Sequence, residues 1–299
     1  SLFMLNVYEQ VSRNKRRSTF IVFFFIVFVL GVGWLLSQAS EAGVEGLIVA
    51  LLFAGLSTLG SYFAGDKVVL AMNRAREAKK KDFPTLVGVV ENLALGAQIP
   101  TPKVYVIPDP AINAFATGRD PKHASVAVTQ GALDQLNRTE LEGVLAHELS
   151  HITNFDTRLF TIVALLIGMI SILADFFLRS FYWRDRDSER QGGGLLTIIG
   201  LLLAIFAPLA AQLIQLAISR QREFLADAMG VKLTRQPEGL IGALEKIGQS
   251  QPLRFAQNAN AHFYIANPFS PKGALKGIAK LFNTHPPLEE RIAALKKMS

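Results

Sequence analysis

Four long apolar runs, at 18–40, 46–65, 159–178 and 194–219, constrain this chain more than any other feature. Each supplies at least the ~20 residues that a helix rising 1.5 Å per residue needs to cross a hydrocarbon core of about 30 Å. Composition agrees: 50% of the residues are hydrophobic and only 18% charged, and the mean hydropathy is +0.30. The reading is a multi-pass α-helical membrane protein. The first run is too long and too aromatic (Phe20, Phe23, Phe24, Phe25, Phe28) for the apolar region of a cleaved signal, so it is expected to be retained. In the second, Ala50, Ala54, Ser57, Ser61 and Gly65 recur every four residues. Such a stripe either admits a neighbouring helix closely or faces lipid as ordinary small residues. Asp175 in the third run stands one turn from its end, within reach of the interface, and Pro208 is expected to kink the fourth.

Basic residues orient these runs. Arg13, Lys15, Arg16 and Arg17 precede the first, Arg74, Arg76, Lys79, Lys80 and Lys81 follow the second, and the 41–45 connection has neither Lys nor Arg. The positive-inside rule puts the basic tail 1–17 and everything after residue 65 in the cytoplasm. The connection 179–193, with Arg179, Arg184, Arg186 and Arg190, fits that rule poorly. Either the last two runs cross with their topology set by the first pair, which is the expectation, or they form a hairpin that does not traverse. The formal charge of +7 is thus spent on insertion, and no basic-aromatic interleaving suggests a nucleic-acid partner. Ser1, Leu2 and Phe3, ahead of Met4, read as additions before a natural start.

Outside the runs lie two pieces, 66–158 and 220–299, which together make one ordinary domain interrupted by a helical hairpin. The first opens with a basic amphipathic stretch and a helix at 85–95. Strand character follows at 104–107, 112–116 and 124–129, punctuated by Pro108, Pro110, Gly118 and Pro121. The second reads as helix, loop, helix, with polar turns from 258 to 272.

The chemistry concentrates in His147-Glu148-Leu149-Ser150-His151, an H-E-x-x-H pentapeptide. Thr139 with Glu142 reads as a capping box, and Leu141, Val144, Leu145 and Ile152 keep helical spacing, which predicts a helix over 139–155. Spacing i, i+4 stacks both imidazoles on one face, where each can reach one Zn²⁺. Glu148 is rotated by about 100°, beside the metal rather than on it, where a general base belongs. With 5 histidines in the chain, chance placement yields the pattern about four times in a thousand chains of this composition.

A zinc site needs a third protein ligand. With no cysteine anywhere, thiolates are excluded, as are disulfides and iron–sulfur clusters. No histidine stands at the place after His151 that an H-E-x-x-H-x-x-G-x-x-H site would use, since 155–157 is Phe-Asp-Thr. Glu223 and Asp227 share a helix face just beyond the fourth run. Glu223 is assigned as ligand and Asp227 as the acceptor that fixes a histidine tautomer. His151 lies about 12 Å of helix before the third run and Glu223 about 6 Å after the fourth, so one metal would bring both run ends to the same face, next to the bilayer. The polar residues Glu140, Glu142, Asn154, Asp156 and Arg158 flanking the motif argue against a site inside the lipid.

H-E-x-x-H with a distant E-x-x-x-D resembles the gluzincin metallopeptidases. Four ordered blocks add specificity: His147 to His151, the segment 113–118 (Asn-Ala-Phe-Ala-Thr-Gly), 219–227, and 284–291 (Thr-His-Pro-Pro-Leu-Glu-Glu-Arg). Together they resemble the HtpX family of heat-shock membrane proteases over nearly the whole chain. The resemblance implies a zincin-like α+β catalytic domain in a bacterial inner membrane, with a cytoplasmic site. The implied function is a zinc endopeptidase that degrades misfolded or damaged membrane proteins, one Zn²⁺ per chain. It leaves room for other membrane quality-control proteases as partners. It also implies that His147, His151 and Glu223 bind zinc, Glu148 is the acid/base and Asp227 supports His147. Asn113, Ala114, Phe115 and Ala116 would form the edge strand (112–117) that pairs with substrate, and His285 would donate to the oxyanion. A turn role for Asn113 and a packing role for His285 stay open. The alternative function is a non-proteolytic membrane scaffold or zinc-dependent sensor that binds polypeptides.

Overall fold

Residues that alternate between two apolar environments build the central sheet. The computed structural model describes residues 7–40, 43–167, 220–253, 264–265 and 286–298. Strands β1 (Arg76–Glu77), β2 (Lys103–Ile107), β3 (Ala114–Gly118) and β4 (Ala124–Thr129) form a mixed sheet in the order β1-β2-β4-β3. β2 runs parallel to β4, and β3 lies antiparallel to β4 as an edge strand. Val104, Val106, Ala114, Ala116, Val126 and Val128 face one core, and Ile107, Phe115 and Ala127 the other. That period-two division is the pattern of a strand buried on both sides.

Each core is completed by different helices. The first takes Leu86, Val89, Val90 and Leu93 of α3 (Pro84–Gly96), with Leu141, Val144, Leu145 and Leu149 of α5 (Arg138–Thr153). A short α4 (Gln130–Gln135) precedes α5. The second takes Ile21 of α1 (Val7–Ser40), Val69 and Leu70 of α2 (Gly43–Met72), and Leu159, Phe160, Val163 and Leu166 of the helical segment 156–167. Burying each large aliphatic or aromatic side chain stabilises by about 1.5–3 kcal/mol. One sheet therefore joins the domain to the long N-terminal helices. At Gly65 a Cβ would lie 2.5 Å from Leu165 Cδ1, so at that position the small-residue stripe does admit a neighbouring helix.

Several boundaries differ from the sequence reading. The cap of α5 is Asn137, not Thr139: its side chain accepts from the Glu140 N–H, and Glu140 Oε2 accepts from the Asn137 N–H. Both pairs have the required three-residue spacing, but the chain is still extended at Asn137, with ψ 172°, the conformation a cap needs. The edge strand starts at Ala114 rather than 112, because the Asn113 N–H donates to the Thr129 hydroxyl in place of a ladder carbonyl, and the Asn113 side chain accepts the Ala114 N–H. The basic amphipathic stretch after residue 65 begins inside a helix. α2 continues to Met72 and the chain then turns through Arg74, at φ 53°, into β1. The second piece opens as two helices, α6 (Arg220–Thr234) and α7 (Pro237–Gln249), with Leu288–Leu295 (α8) near its end.

Among the described residues, no helix is long and apolar enough to cross a membrane. The runs at 18–40 and 46–65 fall within α1 and α2, only some of whose side chains are described. Most of the third run, the 179–193 connection, the fourth run and His285 lie outside the described residues.

Candidate metal centre

α5 and α6 cross closely enough to bring their polar residues together. Gly230 makes this approach feasible, since a Cβ there would sit 3.1 Å from the His147 backbone nitrogen. His147, Glu148 and His151 come from the third and fourth turns of α5, and Glu223 from the first turn of α6; all four are buried. The two Nε2 atoms are 3.2 Å apart. Glu223 Oε2 lies 3.7 Å from His147 Nε2, and its Oε1 lies 3.6 Å from His151 Nε2. A tetrahedral zinc with bonds of about 2.0–2.1 Å would separate its ligand atoms by about 3.3–3.4 Å. The donors therefore match in type and spacing, and they form the one candidate metal-holding group among the described residues.

Proton placement supports the same fit. His147 Nδ1 is 2.8 Å from Asp227 Oδ1, and His151 Nδ1 is 3.0 Å from Asp156 Oδ2. An ionised carboxylate only accepts, so each Nδ1 is the donor and a neutral ring turns its Nε2 lone pair toward the other donors. With both rings neutral, two facing lone pairs and a carboxylate form a pocket for a cation, which a proton on His151 fills until a metal replaces it.

Residues that sequence reasoning did not single out govern these contacts. Arg291 of α8 is fully buried. Its Nε and Nη2 donate to the two oxygens of Asp227 at 2.9 and 2.6 Å, its Nη1 donates to the Ile265 carbonyl at 2.6 Å, and Nη2 lies 3.4 Å from His147 Nδ1. Asp156 carries His151 as Asp227 carries His147, a partnership that its polarity beside the motif does not by itself reveal. Glu140 likewise serves the protein interior, capping α5 and binding Lys246 Nζ at 2.6 Å. A signal for Arg291 existed, since it closes the 284–291 block, but nothing in that block says where the guanidinium goes.

The electrostatics differ around the cluster. Burial, helped by the neighbouring Arg291 charge, lowers His147 to about 4. Burial also acts against protonation of His151, yet the Asp156 hydrogen bond and the Glu223 charge override it and raise that imidazole to about 9. Burial pushes the Glu148 carboxyl up to about 8. Asp227 falls to about 2: burial opposes its ionisation, but Arg291 outweighs burial. Glu148 accepts the Ala116 N–H, while its Oε1 is buried without a hydrogen-bond partner. An acceptor left so costs about 1–3 kcal/mol, the mark of a group kept for another partner.

The expected substrate edge is present but partly used. The Ala114 carbonyl accepts the Ile265 N–H at 3.2 Å. Phe115 packs into the second core and meets the Tyr264 ring edge-on at 5.4 Å. Asn113 bonds through its backbone N–H and carbonyl to Thr129.

Comparison with known proteins gives one answer. The family model of Peptidase family M48 matches residues 80–299. A "Protease HtpX homolog" from Dictyoglomus turgidum is 46% identical over 97% of this chain and 94% of its own length. Proteins of the same name from Caldanaerobacter subterraneus and Levilactobacillus brevis are 44% and 46% identical over 98% of this chain, covering 98% and 100% of theirs. Among solved structures, the crystal structure of S. mikatae Ste24p superposes with a TM-score of 0.51 at 18% identity, covering 96% of this chain and 67% of that one. That likeness concerns the fold.

Proposed function

The chain belongs to peptidase family M48 and is a zinc metalloprotease, and from that premise we propose which residues do the chemistry and where. His147, His151 and Glu223 hold one Zn²⁺, and the observation that carries this is their convergence from two helices with both Nδ1 protons directed to carboxylates. When bound, zinc supplies Lewis acidity for the scissile carbonyl and for water.

Glu148 is the acid/base. Its Oε1, buried and unpartnered, accepts the proton of the attacking water, and the same carboxyl returns it to the leaving amine. Burial raises its proton affinity, which favours the first transfer, and the Ala116 N–H holds the group in place. Asp227, fixed by Arg291, keeps the His147 proton on Nδ1. An extended polypeptide adding to the outer edge of β3 beside Glu148 would replace the Ile265 N–H on the Ala114 carbonyl and use the Ala116 carbonyl.

The bacterial inner membrane is the proposed location, with the N-terminus and the site cytoplasmic and misfolded membrane proteins as substrates. Phe20, Phe23, Phe24 and Val27 on α1, and Ile48, Leu52, Leu56, Leu59 and Phe63 on α2, are exposed. Apolar surface of that extent on two long helices needs a cover, and the basic residues before the first run select the cytoplasmic side. The test is Glu148→Gln in detergent-purified protein. Zinc content should match wild type, while casein cleavage falls by about 10²–10⁴. Cleavage by the zinc-loaded variant at the wild-type rate would remove Glu148 from the mechanism.

A further inference from the structure

We propose that Asn14, on the N-terminal helix α1, is a positioning residue for the metal ligand His151, acting through Asp156. This rests on the zinc reading of His147, His151 and Glu223. Asn14 stands just before the first apolar run, 142 residues away from Asp156, yet it is buried against the metal centre. Its amide donates to Asp156 Oδ1 at 2.7 Å and to the Asn154 carbonyl at 2.9 Å. The other Asp156 oxygen, Oδ2, holds His151 Nδ1 at 3.0 Å. Asn14, Asp156 and His151 therefore form one continuous chain of hydrogen bonds ending at the ligand.

The geometry fixes more than one degree of freedom. Asn154 is the C-cap of α5, so its carbonyl has no acceptor role inside that helix and takes its donor from α1. One amide group thus ties the end of the metal-binding helix and the plane of the Asp156 carboxylate to the same point. The chain reverses there through Phe155, at φ 60°, and Lys15 Nζ lies 4.5 Å over the Phe155 ring. Arg222 Nη1 is 3.6 Å from Asp156 Oδ1 and so supports the carboxylate's charge from α6. Asn14 supplies direction, because both of its bonds are short and it carries no net charge. The helix that bears an apolar run consequently helps to fix the orientation of the His151 ring.

A double-mutant cycle on the full-length, detergent-purified protein tests this, reading zinc affinity by chelator competition and the visible spectrum of the Co²⁺-substituted protein. Asp156→Asn is expected to weaken zinc binding by about 10–100-fold, and Asn14→Leu by about tenfold with a changed cobalt spectrum. The double variant should be no weaker than Asp156→Asn alone, since the amide acts through the carboxylate. Arg16→Ala, exposed on the same helix, should bind as wild type does. If Asn14→Leu loses its helical circular dichroism, Asn14→Ala removes the amide without adding bulk and takes its place. Unchanged affinity and spectrum in the Asn14 variant, or losses that add in the double variant, would overturn the proposal while leaving the zinc site intact. A wild-type protein that binds no zinc would overturn the site itself.

Discussion

The two histidine arms of the metal centre use the same device with opposite results. Each imidazole gives its Nδ1 proton to a buried aspartate, His147 to Asp227 and His151 to Asp156, at 2.8 and 3.0 Å. Yet His147 is lowered to about 4 and His151 raised to about 9. Burial disfavours the charged form of both, so the difference lies in the counter-charge. Arg291 grips both oxygens of Asp227 and approaches the His147 ring itself, cancelling the aspartate where the ring feels it. On the other arm Asp156 is held by the neutral Asn14 amide, with Arg222 on the oxygen far from the ring, and the Glu223 charge adds to the pull on the His151 proton. A histidine–aspartate pair therefore has no fixed proton affinity; the position of the third group decides it.

Removing Arg291 should break the contrast most severely. Arg291→Met leaves Asp227 charged in the interior with only the His147 N–H as partner, which should cost about 3–5 kcal/mol of unfolding free energy. His147 should also rise from about 4, because the cation that opposed its protonation is gone. Denaturant unfolding and NMR titration of the imidazole check both. Full stability with an unmoved His147 would mean that the guanidinium does not govern that arm.

Zinc binding should register the asymmetry in protons. From about pH 5 to pH 8, His151 with its raised value carries a proton that must leave before it ligates, whereas His147 with its lowered value carries none. One proton should therefore leave the histidines per zinc, and affinity should fall about tenfold per pH unit as pH drops through that window. Calorimetry in buffers of different ionisation enthalpy counts the protons, and two released from the pair would erase the distinction between the arms. The smallest expected effect is that of Lys15→Met beside the His151 arm. Losing its exposed contact with Phe155 should cost about 0.5–1 kcal/mol of stability and leave the proton count unchanged.

These arms also mark where sequence reading works. His147, Glu148 and His151 sit on one helix at a spacing that only a helix makes useful, and Glu223 with Asp227 repeats that logic. Helical periodicity is local, so both were legible. β4 was legible for the same reason, its 124–129 strand matching in both bounds. Asp156 was visible only as polarity, because its partnership with His151 depends on how the chain turns at Phe155. Asn14 and Arg291 reach their aspartates across 142 and 64 residues, and no period or spacing encodes a contact closed by tertiary packing. The α5 cap was misplaced by two residues because Asn137–Glu140 and Thr139–Glu142 satisfy one pattern, and backbone conformation at Leu136 and Asn137 chose between them.

Zinc X-ray absorption on the purified protein tests the central claim most directly. The account predicts one zinc per chain with two imidazole nitrogens at about 2.0–2.1 Å and carboxylate or solvent oxygen completing the shell, and loss of one imidazole in His147→Ala or His151→Ala. A zinc shell lacking imidazole, or one unaltered by either substitution, would contradict it.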